Sequence, residues 1–123
     1  MTIKELINFG NYNDKQLRTF ACWCAKRHWN DLDNNHRQCI LASQRYIKSE
    51  ITKEQMTAVK DYAAHNNDIS RAKSKANVSA RACCTVDAKQ SANRSALASI
   101  AHSNNKTAAN EVICYLIFID NLN

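Results

Sequence analysis

The sequence predicts an all-α protein, a compact bundle of about five to seven helices with Ala-rich helices at its centre. Three observations carry this. Proline is absent and glycine occurs once, at Gly10, whereas proteins built from strands and tight turns use both as punctuation. Apolar residues recur at helical spacing. Residues 69–106 are full of Ala and Ser and hold no aromatic residue, Gly or Pro, a composition that lets helix axes approach closely. At 123 residues the chain is expected to form a single helical domain, 1–123, with a core that needs no metal or disulfide.

The elements follow in order. Thr2 to Phe9 reads as a short amphipathic helix, and Gly10-Asn11-Tyr12-Asn13 as the clearest break. Asn13 or Asp14 caps a second helix that is expected to reach about Asp31, with Leu17, Phe20, Ala21, Cys24 and His28 on its apolar stripe. Trp23 and Trp29 widen that face. Asp33 caps a third helix through Ser49, whose stripe is Cys39, Ile40, Ser43, Tyr46 and Ile47. Thr52-Lys53-Glu54-Gln55 reads as a capping box opening a fourth helix through His65, with Met56, Val59, Tyr62 and Ala63 on its apolar face. Ser70 is the expected cap of the next stretch, which is helical in pattern as far as Ser103. One helix of that length would span about 50 Å, longer than a domain of this size is wide. A break is therefore expected at Thr85–Lys89, between the stripes Ala72, Ala76, Ser79, Cys83, Val86 and Ala92, Ala96, Leu97, Ile100. The last helix runs from Lys106 to Asn121. Its centre, residues 112–119, is apolar all round, which suits a central position or an oligomer seam.

Those eight residues are the longest apolar run, far short of the roughly 20 that span a bilayer. The N-terminus has no signal-peptide core, and the six cysteines (Cys22, Cys24, Cys39, Cys83, Cys84 and Cys114) fall within helical patterns. Free thiols and a cytoplasmic location are expected.

Charge is concentrated. Residues 69–106 carry seven basic side chains and one acid, Asp87, which amounts to the whole net charge of +6. A pI near 9.1 fits either an acidic protein surface or nucleic acid as partner. On 100° steps along one helix, Arg71, Lys75 and Lys89 share a side while Lys73, Arg81 and Arg94 point elsewhere, and the region has no aromatics for base stacking. A protein partner is the preferred reading, with Arg71, Lys75, Arg81, Lys89 and Arg94 as the contact set and nucleic acid or nucleotide as the alternative. Trp29 and Tyr46 are candidate anchors, although both suit a core.

The one combination with metal-ligand chemistry is Cys24, His28, His36 and Cys39, on two helices meeting at a short turn. Its spacing is not a recognised zinc pattern, so buried thiols and turn histidines are preferred and no metal or cofactor is assigned. No Gly-x-Ser-x-Gly elbow, His-Glu-x-x-His motif or Gly-rich phosphate loop occurs, and no catalysis is expected.

The run Leu17-Arg18-Thr19-Phe20-Ala21-Cys22-Trp23-Cys24-Ala25-Lys26-Arg27 is followed by Asp33, Arg37, Ile40 and Tyr46, then the capping box and the Ala-rich helices. Over residues 17–103 this resembles the immunity protein family of bacterial polymorphic-toxin loci and phage genomes. That family has an acidic turn of the form Asp-x-Arg-Pro-Arg. Here Asn35 and His36 replace its first Arg and its Pro, and Ser49 stands in place of a helix-ending Gly. The resemblance implies a small helical binding protein without catalysis, one that blocks a toxin, defence or host protein.

Overall fold

Six short polar motifs decide where the helices begin. In the computed structural model, which describes residues 2–65 and 74–120, Thr2 and Glu5 form a reciprocal capping box at the start of α1 (Ile3–Phe9). Asn13 and Gln16 do the same for α2 (Asp14–Lys26), and Thr52 and Gln55 for α4 (Lys53–His65). Single side chains cap the others: Asp33 for α3 (Asn34–Ile47), Ser74 for α5 (Lys75–Ala82) and Asp87 for α6 (Ala88–Ser103). α7 (Ala108–Asp120) completes the set. These seven α-helices and one 3₁₀ turn, Trp29–Asp31, make an all-α bundle with no strand among the described residues.

The helices end for equally local reasons. Gly10 closes α1 with an ordinary φ of −72°, so its glycine is needed for space: an added Cβ would lie 2.2 Å from the Tyr12 ring and 2.5 Å from the Leu6 carbonyl oxygen. Ser49 and Asn104 end α3 and α6 with positive φ of 60° and 46°, the left-handed turn that Asn tolerates well. α2 stops at Lys26, five residues before the expected Asp31. The chain tightens there into the 3₁₀ turn, and Arg37 fixes it. Its Nε donates to the Trp29 carbonyl at 3.0 Å and its guanidinium lies over the Trp29 ring.

α6 packs most extensively on α5 and α2, and α2 carries both halves of the core. On one side of α2, Ala21, Cys22 and Ala25 meet Cys39, Ile40, Met56, Ala80, Cys83 and Cys84. On the other, Leu17, Phe20 and Cys24 meet Ile3, Ile7, Ala92, Ala96, Val112 and Leu116. Close approach of α6 rests on serines four residues apart. Ser91 donates to the Ala82 carbonyl at 2.8 Å, Ser95 to the Ala21 carbonyl at 2.8 Å and Ser99 to the Cys24 carbonyl at 2.9 Å. All three serines are buried, so each hydroxyl has its partner and the small side chains keep the axes close. Ser79 of α5 donates to the Ser95 carbonyl, and with Ser91 on Ala82 this is the register of an antiparallel hairpin.

The hairpin turns at residues 83–87, overlapping the expected break at Thr85–Lys89 but starting two residues earlier, and a buried arginine holds it. Arg18 of α2 donates to the Thr85 carbonyl at 2.7 Å and to the Val86 carbonyl, and its guanidinium lies 5.0 Å from the Tyr46 ring. The Cys83 carbonyl takes a further bond from Ser43 at 2.9 Å. Three residues assigned to apolar stripes are exposed instead: Tyr62 on α4, Val86 on the turn and Leu97, which faces outward from α6. α7 buries Val112, Leu116 and Ile119 but leaves Ile117 and Phe118 half exposed, so it covers one side of the bundle and is not central. All six cysteines are free thiols, five of them buried and Cys114 exposed. No helix among the described residues is long and apolar enough to cross a membrane.

Candidate functional site

A cleft of about 360 Å³ opens between α4, α5 and α6. Lys60 of α4, Lys75 and Arg81 of α5, and Arg94 of α6 line it, and among the described residues no carboxylate does. Its walls are otherwise Val78, Ala82, Leu97, Ala98 and Ala101, with Thr85 at one end. Among the described residues none of the four cations is within ion-pair distance of an acid. Four like charges around an apolar wall, with no acid among the described residues paired to them, create a positive field.

The cations are not equivalent. Lys75 and Arg94 are exposed, while Lys60 reaches Thr85 Oγ1 at 3.5 Å. Arg81 is half-buried and anchored from behind. Its Nη1 donates to His36 Nε2 at 2.8 Å. A guanidinium can only donate, so Nε2 of the buried His36 accepts and Nδ1 carries the proton, which it donates to Asp33 Oδ1 at 2.9 Å. The same Asp33 oxygen caps α3 through the His36 amide, and Asn77 donates to the other oxygen at 3.4 Å. Burial is the main reason that His36 is held below the usual histidine pKa, with the facing Arg81 charge adding to it and Asp33 opposing it. The turn that starts α3 therefore fixes a neutral imidazole, and the imidazole fixes the arginine.

Of the five predicted contact residues, the structure brings Lys75, Arg81 and Arg94 into this cleft. The projection onto one helix separated them because it ran through the turn at 83–87. Once the chain reverses there, α5 and α6 present their charges to one space. Lys89 is exposed on the first turn of α6 and does not line the cleft, and Arg71 lies outside the described residues. Lys60 had no signal in the sequence: it stands in a mixed-charge helix and joins the site only through packing. Trp29 and Tyr46 are half-buried and are occupied by Arg37 and Arg18, so neither stands free as an anchor.

The combination Cys24, His28, His36 and Cys39 is not gathered. Cys24 is buried between α2, α6 and α7, where desolvation drives its thiol pKa well up. His36 is spent on Asp33 and Arg81, and Cys39 packs in the other half of the core with its thiol toward the Val59 carbonyl. His28 instead meets the end of α6. Its Nε2 lies 2.8 Å from Ser99 Oγ and its ring is 4.7 Å from the His102 ring.

The cleft suits carboxylate or phosphate oxygens joined to an apolar group. Arg81 offers planar donors, the lysines offer mobile point charges, and Leu97 and Val78 offer apolar surface. Among the described residues no aromatic side chain lines it as a platform for a base. No protein-family model, curated protein or solved structure matches this chain.

Proposed function

We propose that this is a small non-enzymatic binding protein whose cationic cleft docks an acidic, partly apolar segment of a partner protein and blocks the surface to which that segment belongs. The observation that carries the reading is the set Lys60, Lys75, Arg81 and Arg94, brought together around an apolar wall with no carboxylate among the described residues that line it. Removing like charges from one another's field by binding an acid is favourable, and the same field speeds association. The apolar wall adds burial that a purely ionic contact lacks. This agrees with the resemblance to immunity proteins, and the reading extends to an immunity-like or phage-encoded inhibitor of a bacterial toxin, defence or host protein, acting in the cytoplasm.

The net charge of +6 also favours a second reading, in which the same cations hold the phosphates of a nucleic acid or nucleotide. One pair of titrations separates the two. Fluorescently labelled acidic peptides containing leucines and mixed-sequence nucleic acid are each titrated at low and moderate salt, beside a pull-down from nuclease-treated bacterial lysate. Recovery of a protein that Lys75→Glu with Arg94→Glu releases supports the first reading. Tight, salt-sensitive nucleic-acid binding with no protein recovered replaces it with the second.

A further inference from the structure

The end of the bundle near the α2–α3 connection holds a second chemistry. His28, Asp31 and His102 each present one donor atom, and the three atoms lie within 4.8 Å of one another. They come from distant parts of the chain. His28 occupies the N-cap of the 3₁₀ turn and Asp31 is its last residue, while His102 stands in the last turn of α6. We propose that His28, Asp31 and His102 form a zinc-binding site with an open fourth position.

The tautomer of His28 supports this. Its Nε2 faces Ser99 Oγ at 2.8 Å and the Ser99 carbonyl at 3.1 Å. The Ser99 hydroxyl gives its own proton to the Cys24 carbonyl, so both oxygens facing Nε2 accept. Nε2 therefore carries the proton and Nδ1 carries the lone pair. This is the arrangement that orients metal-bound histidines: one nitrogen donates to a fixed backbone or side-chain oxygen and the other ligates. The serine ladder that packs α6 on α2 thus also sets the imidazole.

The second pair has the spacing of adjacent ligands. His102 Nε2 and Asp31 Oδ2 are 2.9 Å apart, held by one shared proton. Metal–ligand bonds of roughly 2.0–2.2 Å place neighbouring donors about 3.0–3.4 Å apart, so an ion that replaces that proton needs little movement of either group. Asp31 is largely exposed and His102 partly so, which leaves an entry path and room for water in the fourth position. The negative end of the α6 dipole adds a field that favours a cation. The nearby positive charge of Arg27 is paired with Glu111 of α7. Two imidazoles with one carboxylate are a borderline donor set, suited to zinc and unsuited to calcium or magnesium, which take oxygen ligands.

The test uses the full chain carrying Cys114→Ser, which removes the exposed thiol as a competing ligand. Chelator-stripped protein is titrated with zinc chloride against a chromophoric zinc chelator, and cobalt(II) spectra are recorded in parallel. One equivalent should bind, with a visible band typical of four-coordinate cobalt. His102→Ala and Asp31→Asn should each weaken zinc by at least about tenfold and abolish the cobalt band. Both side chains are on the surface, so these variants should fold, as circular dichroism will verify. His65→Ala, exposed at the end of α4, should bind as the parent does. Absence of zinc uptake at about 100 μM, roughly 5.5 kcal/mol of binding, overturns the site, as does uptake that is unchanged in His102→Ala and Asp31→Asn.

Discussion

Arg18 and Arg81 lie on either side of the same hairpin and do opposite work. Arg18 is buried, and its donors go to the Thr85 and Val86 carbonyls of the turn. Arg81 is half-buried, tied to His36, and faces a cleft with three further cations. The first arginine is consumed by the fold; the second is positioned by the fold and left with charge to spend. Composition treats them alike. The difference lies in what surrounds each guanidinium: backbone acceptors that desolvation leaves without water, or a neutral imidazole on one side and solvent on the other.

Breaking the structural member of the pair has the largest expected effect. Arg18→Ala leaves the Thr85 and Val86 carbonyls without their guanidinium donors and should cost about 3 kcal/mol. Urea denaturation should show this as a lower midpoint, and the melting temperature should fall by roughly 10 °C. Arg81→Ala should lower it much less while weakening partner docking. If the two variants melt alike, the division of labour between the arginines is wrong.

Next in size is the ladder that brings α6 against α2. Ser95→Ala removes the donor to the Ala21 carbonyl and should cost about 1–2 kcal/mol, measurable by the same denaturation series. Ser95→Val adds volume where the axes are close and should cost more than Ser95→Ala.

Acidification tests the support behind Arg81. His36 is neutral in the fold with its pKa held down, whereas in the unfolded chain it protonates near its ordinary value of about 6.5. Below that pH the unfolded state binds more protons, so the contribution of His36 is complete above about 6.5 and is lost as pH falls toward the lowered folded value. Unfolding midpoints measured between about pH 7.5 and pH 5 should decline in the parent, and the decline should be shallower in His36→Gln.

The smallest effect on stability belongs to the exposed cations. Lys75→Glu and Arg94→Glu should leave folding within about 0.5 kcal/mol of the parent while weakening partner binding by tenfold or more. A large loss of stability in either variant would place these side chains with Arg18 in the fold.

The helical fold was legible because its signals are local. Asn13, Asp33 and Thr52 cap the helices that the sequence assigned to them, and the break in the Ala-rich region overlaps the expected one, two residues toward the N-terminus. The overlong second helix shows the limit of such signals. Residues 27–31 look helical in pattern, but Arg37, which follows in α3, binds the Trp29 carbonyl and the turn tightens. The cleft was half legible. Lys75, Arg81 and Arg94 were named as contacts, yet nothing in their spacing put them in one space, and Lys60 was not visible at all. His28 was weighed only within a set with Cys24, His36 and Cys39 to which no metal was assigned, whereas the donor groups that meet it are Asp31 and His102. Spacing along one helix reports neighbours three or four positions away. It carries no information about residues 71 positions apart, such as His28 and Ser99.

The chain by itself determined that this protein is helical, where most helices start, that its thiols are free, and that its positive charge gathers in the second half. These follow from hydrogen bonds, rotamers and charges within a few residues of one another. Only the tertiary structure decided which arginine is structural, which cations share a cleft and which histidines meet. Those relations depend on how α5 folds back on α6 and how closely α6 lies on α2, distances set by packing between residues far apart in sequence.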